Sequence, residues 1–154
     1  MKIMKQLMCI AMLFVVACDS DSDSGGLTPT ADNLQGTWDI TNICFSGTFP
    51  DNDGCDDADD CIDPNDEYGF DQWVIIENNI ITSCNNATGH DDCGYGEPDT
   101  FILSGNTITI FYSDGTDSDS ATINLSSDGG TVVTVQSVTA EGCSATITQT
   151  WTKR

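Results

Sequence analysis

From Leu34 onward the chain alternates apolar and polar residues with period two, and no stretch sustains a period of 3.6. Thr107-Ile108-Thr109-Ile110 and Ala145-Thr146-Ile147-Thr148-Gln149-Thr150-Trp151 show the alternation most plainly. Such a pattern turns one face of a strand to a core and the other to water, as a half-buried antiparallel sheet requires. Thr, Val and Ile dominate these segments, and their branched Cβ atoms suit a pleated surface. Turn residues divide the pattern into eight predicted strands, at about 36–45, 69–77, 80–84, 99–104, 107–113, 121–125, 131–139 and 144–153. Gly105-Asn106 joins the fourth to the fifth as a two-residue hairpin signal, because Gly accepts positive φ. An all-β fold is expected, its interior filled by Trp73, Ile75, Ile108, Ile110, Val133, Val135, Ile147 and Trp151.

The N-terminal pattern is different. Lys2 and Lys5 precede an apolar run from Leu7 to Ala17, which ends in small residues just before Cys18. A basic start, a short apolar stretch and small residues before a cut describe a secretory signal over 1–17. The run is too short to cross a bilayer, which takes about 18–20 residues. Cys18, directly after the cut, resembles a bacterial lipobox. That resemblance implies an acylated thiol as the new N-terminus, and the other reading is a plain signal peptide with Cys18 incidental. Residues 18–33 are rich in Asp, Ser and Gly and are expected to form a flexible acidic tether. The globular domain is expected over 34–154.

Within that domain, Gly36-Thr37-Trp38 at the start of the first strand looks like the G-x-W signature of lipocalin-like domains. Ser104-Gly105-Asn106-Thr107-Ile108-Thr109-Ile110 and the closing Thr150-Trp151-Thr152-Lys153 resemble later segments of the lipocalin-like lipoproteins of Bacteroidetes-type bacteria. The resemblance implies an antiparallel up-and-down eight-stranded barrel, here small or partly open. It also implies that Trp38 packs across the closed end against Lys153 or Arg154. The Asp-Ser run after Cys18 resembles the signal that sends such lipoproteins to the cell surface. Elsewhere an Asp in that place retains them at the inner membrane. The expected address is therefore the outer membrane, by a lipid anchor, with the domain exposed as a monomer.

Charge adds a direction to the barrel. The chain has 25 acids against four Lys and Arg, a net charge of −21. That sign repels nucleic acid and anionic lipid surfaces. Asp outnumbers Glu 21 to four, which suggests acid concentrated in loops, since Asp favours turns over helices. In a meander the loops alternate between ends, and 16 of the acids fall at one end, at about 46–68, 85–98, 114–120 and 140–143. Cys44, Cys55, Cys61, Cys84, Cys93 and Cys143 lie in or beside the same loops. In an exported chain six cysteines read as three disulfides. Zinc fits poorly, because there is no C-x-x-C and His90 is the only histidine. Closing the barrel would set Cys44 beside Cys143, leaving Cys55–Cys61 and Cys84–Cys93 to pin one loop each. Cross-loop pairing of Cys55 or Cys61 with Cys84 or Cys93 is also open.

The segment Asp51 to Asp63 carries closely spaced carboxylates and Gly54, which suits a hard, oxygen-seeking cation such as Ca²⁺. Asp51, Asp53, Asp57 and Asp60 are the expected ligands if the loop is a site. A solvated acidic loop with diffuse counterions is the competing reading. Catalysis has little support: the acids mark no particular pair, His90 sits in a polar loop, and no G-x-S-x-G occurs. The expected function is a non-enzymatic binding module that meets a small ligand through an acidic, disulfide-braced rim. The alternative is a structural or accessory envelope protein with a filled barrel, docking a partner through loops flanked by Phe49, Tyr68, Phe70 and Tyr95.

Overall fold

The computed structural model describes residues 26–51, 54–93, 97–113, 115 and 117–154, with the side chain of Asp51 outside that set. The predicted signal segment, Cys18 and residues 19–25 of the expected tether lie outside the described residues, as do Asp53 and Tyr95. Ten strands form one antiparallel sheet. They are β1 (Gly36–Asp51), β2 (Gly54–Ile62), β3 (Gln72–Glu77), β4 (Ile80–Asn85), β5 (Asp92–Cys93), β6 (Asp99–Ser104), β7 (Thr107–Phe111), β8 (Ser118–Leu125), β9 (Thr131–Ala140) and β10 (Cys143–Lys153). Among the described residues two short helices accompany them, α1 (Ala31–Leu34) and α2 (Pro64–Tyr68).

Eight of the strands, all but β2 and β5, form the predicted meander, and β1 closes it by pairing with β10 from Trp38↔Lys153 to Gly47↔Ala145. The result is a closed lipocalin-like barrel. Its thinnest seam is β4–β6, where only Ile80↔Thr100 and Ile81↔Asp99 pair. Short turns gather at one end. Asn78 and Asn79 both take positive φ there, as a tight hairpin between right-twisted strands requires.

The same end is plugged. Thr30 caps α1 with a reciprocal box to Asn33, and Leu34 is fully buried beneath the barrel. Trp38 Nε1 donates to the Leu34 carbonyl at 2.7 Å, so the one polar atom of a wholly buried indole is satisfied. Leu27 bridges Leu125, so the chain joins the fold ahead of the predicted boundary at Leu34. Trp38, Leu34, Ile76, Phe101, Ile108, Ile123 and Val132 pack this half solid.

Two strands face the opposite way from expectation: β3, with its unbroken apolar run, and β9, where Thr134 interrupts the valines. In β3, Val74 and Ile76 point inward while Trp73 and Ile75 lie on the outer face. In β9, Val132 and Thr134 are buried inward, and Val133 and Val135 lie outside. A run apolar at every position fixes no face, and a one-residue slip exchanges all of its side chains.

The predicted long acidic loop is a hairpin arm instead. β1 continues to Asp51 and pairs with β2 in an unbroken register from Ile43↔Ile62 to Asp51↔Gly54. β2 occupies the flank of β1 that β3 uses lower down, and α2 carries the chain from one to the other. Because β1 overruns its predicted end, Cys44 lies opposite Thr148, well inside β10, and out of reach of Cys143. The bridges are accordingly Cys44–Cys61, across the arm, and Cys55–Cys143, from the arm to the start of β10. These replace the expected Cys44–Cys143 and Cys55–Cys61 pairs. Cys84–Cys93 forms as expected and ties β5 to β4.

Candidate functional site

Above the packed half, the barrel holds a cavity of about 260 Å³. Its lower wall is apolar: Ile40, Val74, Ile81, Ile108 and Trp151 turn inward from five strands. Toward the mouth the inward positions become polar. Thr134 and Gln136 follow from β9, Gln149 from β10, Ser83 from β4, Asp99 from β6 and Asp119 from β8. The alternation that buries Ile108 and Ile110 sets Asp119 directly across the ladder from Ile110. Strand period, not loop geometry, therefore delivers these carboxyl groups to the cavity.

Local hydrogen bonds fix that wall. Asp99 accepts the Ser113 backbone N–H at 3.0 Å, holding the end of β7 against β6. Tyr112 donates its hydroxyl to Asp119 at 2.6 Å. That bond, together with partial burial and the charges of Asp119, Asp99 and Asp117, pushes the phenol up to about 12. At neutral pH Tyr112 is thus a fixed neutral donor to Asp119 at the mouth of the cavity. Trp151 Nε1 donates to Gln149 at 3.0 Å, which anchors the indole of the lower wall.

The lining contains no Lys, Arg or His. Lys153 and Arg154, the Lys and Arg of the described residues, are placed elsewhere. Lys153 Nζ stands 5.1 Å from the Trp38 ring at the closed end, as the resemblance implied. Arg154 instead covers Trp73 on the outer face and pairs with Asp39. Gly36 makes room for the first of these, since a Cβ there would approach Lys153 Cε at 3.3 Å. The cavity is left with a negative mouth and an apolar base.

The expected calcium ligands do not come together in the described structure. Asp57 and Asp60 lie three apart on one strand, which puts their side chains on opposite faces. Asp53 and the side chain of Asp51 are outside the described residues. Among the described residues no group of three or more His, Cys, Asp or Glu side chains is placed to hold a metal ion. The aromatic residues flanking the arm form two pairs, Phe45 edge-on to Phe49 and Tyr68 stacked on Phe70, each with centroids 5.8 Å apart. His90 is exposed in the turn before β5.

Sequence reasoning missed Asp99, Tyr112, Asp119, Gln136 and Gln149. A signal was present at Gln149, which occupies an inward position between Ile147 and Trp151, and a polar residue at such a position marks space in place of packing. A larger hollow of about 400 Å³ lies outside the barrel, between Leu27 and the closed-end turns. Asn106, Asn124, Ser126 and Thr131 wall it, and among the described residues no charged group converges on it. Comparison with protein-family models finds none that matches the chain, and comparison with curated proteins finds no similar sequence.

Proposed function

We propose that this chain is a lipid-anchored envelope lipoprotein whose lipocalin-like barrel acts as a non-enzymatic binding module for a small amphipathic molecule. The observation that carries the reading is the cavity's two-part lining, with apolar walls below and Asp99, Tyr112 and Asp119 at the mouth. Ligand sites are commonly apolar hollows with a few converging polar groups, although most are somewhat larger, at about 300–1,000 Å³. A volume of about 260 Å³ therefore favours a compact ligand over a long acyl chain. The two carboxyl groups favour a cationic or hydrogen-bond-donating head and repel a carboxylate. An anchor at Cys18 is supported by the lipobox-like sequence, and export by three disulfides, which persist in oxidising compartments.

A matched pair of ligands tests the binding reading: hexylamine and hexanoate, followed by Trp151 fluorescence and by amide shifts along β7–β9. The amine is expected to perturb the cavity residues and the acid to leave them unchanged. Ala121→Phe, which places a ring in the cavity, should abolish the response. If neither compound moves a cavity resonance at millimolar concentration, the barrel is a scaffold and the binding reading fails. For the anchor, Cys18→Ser should release the protein from membranes, and protease shaving of intact cells should remove the domain.

A further inference from the structure

The arm carries a second surface, independent of the cavity. β2 pairs with β1 on one edge, and among the described residues nothing pairs with its other edge. Three observations show which of its backbone groups face outward. The Cα atoms of Cys44 and Cys61 are 4.0 Å apart, the close spacing of a non-hydrogen-bonded pair in an antiparallel ladder. The Cys61 N–H is turned from β1 and bonds the Asp60 carboxylate at 2.8 Å. At the far end of the ladder Cys55 faces Pro50, which has no N–H to exchange. By alternation, Cys55, Asp57, Asp59 and Cys61 all direct their N–H and C=O groups to the free edge.

Free edges of this kind invite added strands, and proteins guard them with charge. Here the guard is Asp56, Asp57, Asp59 and Asp60 around Ala58, all exposed but the alanine. On a chain of net charge −21, four carboxylates exclude pairing with another copy or with any acidic strand. They do not exclude a cationic one. The arm is also held at both ends, by Cys44–Cys61 and by Cys55–Cys143, so a strand added to it would meet a preordered edge. We infer that the free edge of β2 receives an extended Lys- or Arg-rich segment of another protein as an additional strand. Its main chain pairs with Asp57, Asp59 and the Cys61 carbonyl, and its basic side chains face the Asp residues on both faces of the strand.

The probe is designed to add antiparallel to β2, with its valine opposite Ala58 and its lysines opposite the acid-acid-Ala-acid-acid pattern. The probe is acetyl-Thr-Lys-Lys-Val-Lys-Lys-Thr-amide, titrated into the intact, oxidised, ¹⁵N-labelled protein. Expected are amide shifts and slowed hydrogen exchange at Asp57 and Asp59. The same peptide N-methylated at its third and fifth residues, whose N–H groups would face β2, should bind at least tenfold more weakly. The variant with Asp56, Asp57, Asp59 and Asp60 changed to Asn should also lose at least tenfold, with its spectrum elsewhere unchanged. Equal binding of the N-methylated peptide would reduce the interaction to diffuse attraction and overturn the proposal, as would no binding at millimolar peptide. Protection of the same amides through self-association, without peptide, would give the edge to a second copy and overturn the choice of partner.

Discussion

The guanidinium carbon of Arg154 lies 4.4 Å from the ring centroid of Trp73, a large aromatic residue on the outer face of the barrel that is nonetheless only 3% exposed. Three neighbours hide it. Arg154 covers the ring while its Nε bonds Asp39 at 2.6 Å, Asp39 stands across the ladder from Trp73, and Cys84 flanks it on β4. Arg154→Ala should red-shift Trp73 emission and cost about 1 kcal/mol, mostly from the cation–π contact, since the ion pair is half-exposed and screened. Arg154→Lys should recover only part of that, because an ammonium lacks the flat face that stacks. Chemical denaturation of the two variants measures the difference.

Trp73 also shows where the sequence was readable and where it was not. Strands with clean alternation, β7 and β10, place Ile108, Ile110, Ile147 and Trp151 inward as expected, because only one face of each is apolar. Trp73-Val74-Ile75-Ile76 and Val132-Val133 are apolar on both faces, so the register had to come from partners the pattern does not name. The arm was misread for another reason. Gly, Pro and four Asp in and around β2 are poor strand formers, and the segment is held extended by cross-links and by pairing to β1. Closure with the last strand was legible; the overrun of β1 past Cys44, which reassigns two bridges, was not. The polar half of the cavity could have been found from Gln149, between Ile147 and Trp151, and from Tyr112, which continues the phase of Ile108 and Ile110 within the predicted strand 107–113 although β7 ends at Phe111.

The three bridges should differ in weight. Cys55–Cys143 closes 88 residues, Cys44–Cys61 closes 17 and Cys84–Cys93 closes nine. Chain-entropy reasoning gives about 4–5 kcal/mol for the first and about 3 kcal/mol for each of the others. Paired Cys→Ala variants should lose stability in that order in denaturant titrations. Mass mapping of unreduced peptides should return these three linkages and no Cys44–Cys143 peptide.

Gly47 is the point at which β1 leaves β10 and becomes the arm. It takes φ +109, and a Cβ there would sit 2.5 Å from the Ser144 carbonyl oxygen and 3.0 Å from Ala145 Cα. Both obstacles are backbone and cannot swing aside. Gly36, at φ +128, meets only the flexible end of Lys153. Gly36→Ala should therefore cost about 1–3 kcal/mol of backbone strain, and Gly47→Ala clearly more. The second variant should also show faster hydrogen exchange across the β1–β2 pairing, while amides of β6–β8 stay protected.

The Tyr112–Asp119 bond makes stability depend on alkaline pH in a definite direction. Folding raises the phenol from its ordinary 10 to about 12, first through the hydrogen bond to Asp119, then through burial and the surrounding carboxylates. A raised pKa favours the folded state while the group is protonated. The contribution is therefore complete below pH 10 and fades as pH rises from 10 toward 12. Phenolate absorbance should show one tyrosine titrating last in the native protein, and Tyr112→Phe should remove that step alone. Asp119→Asn should bring it back most of the way toward 10. The stability difference between wild type and Tyr112→Phe should stay flat up to about pH 10 and shrink above it. A difference that instead changes between pH 4 and 8 would mean that another group carries the bond.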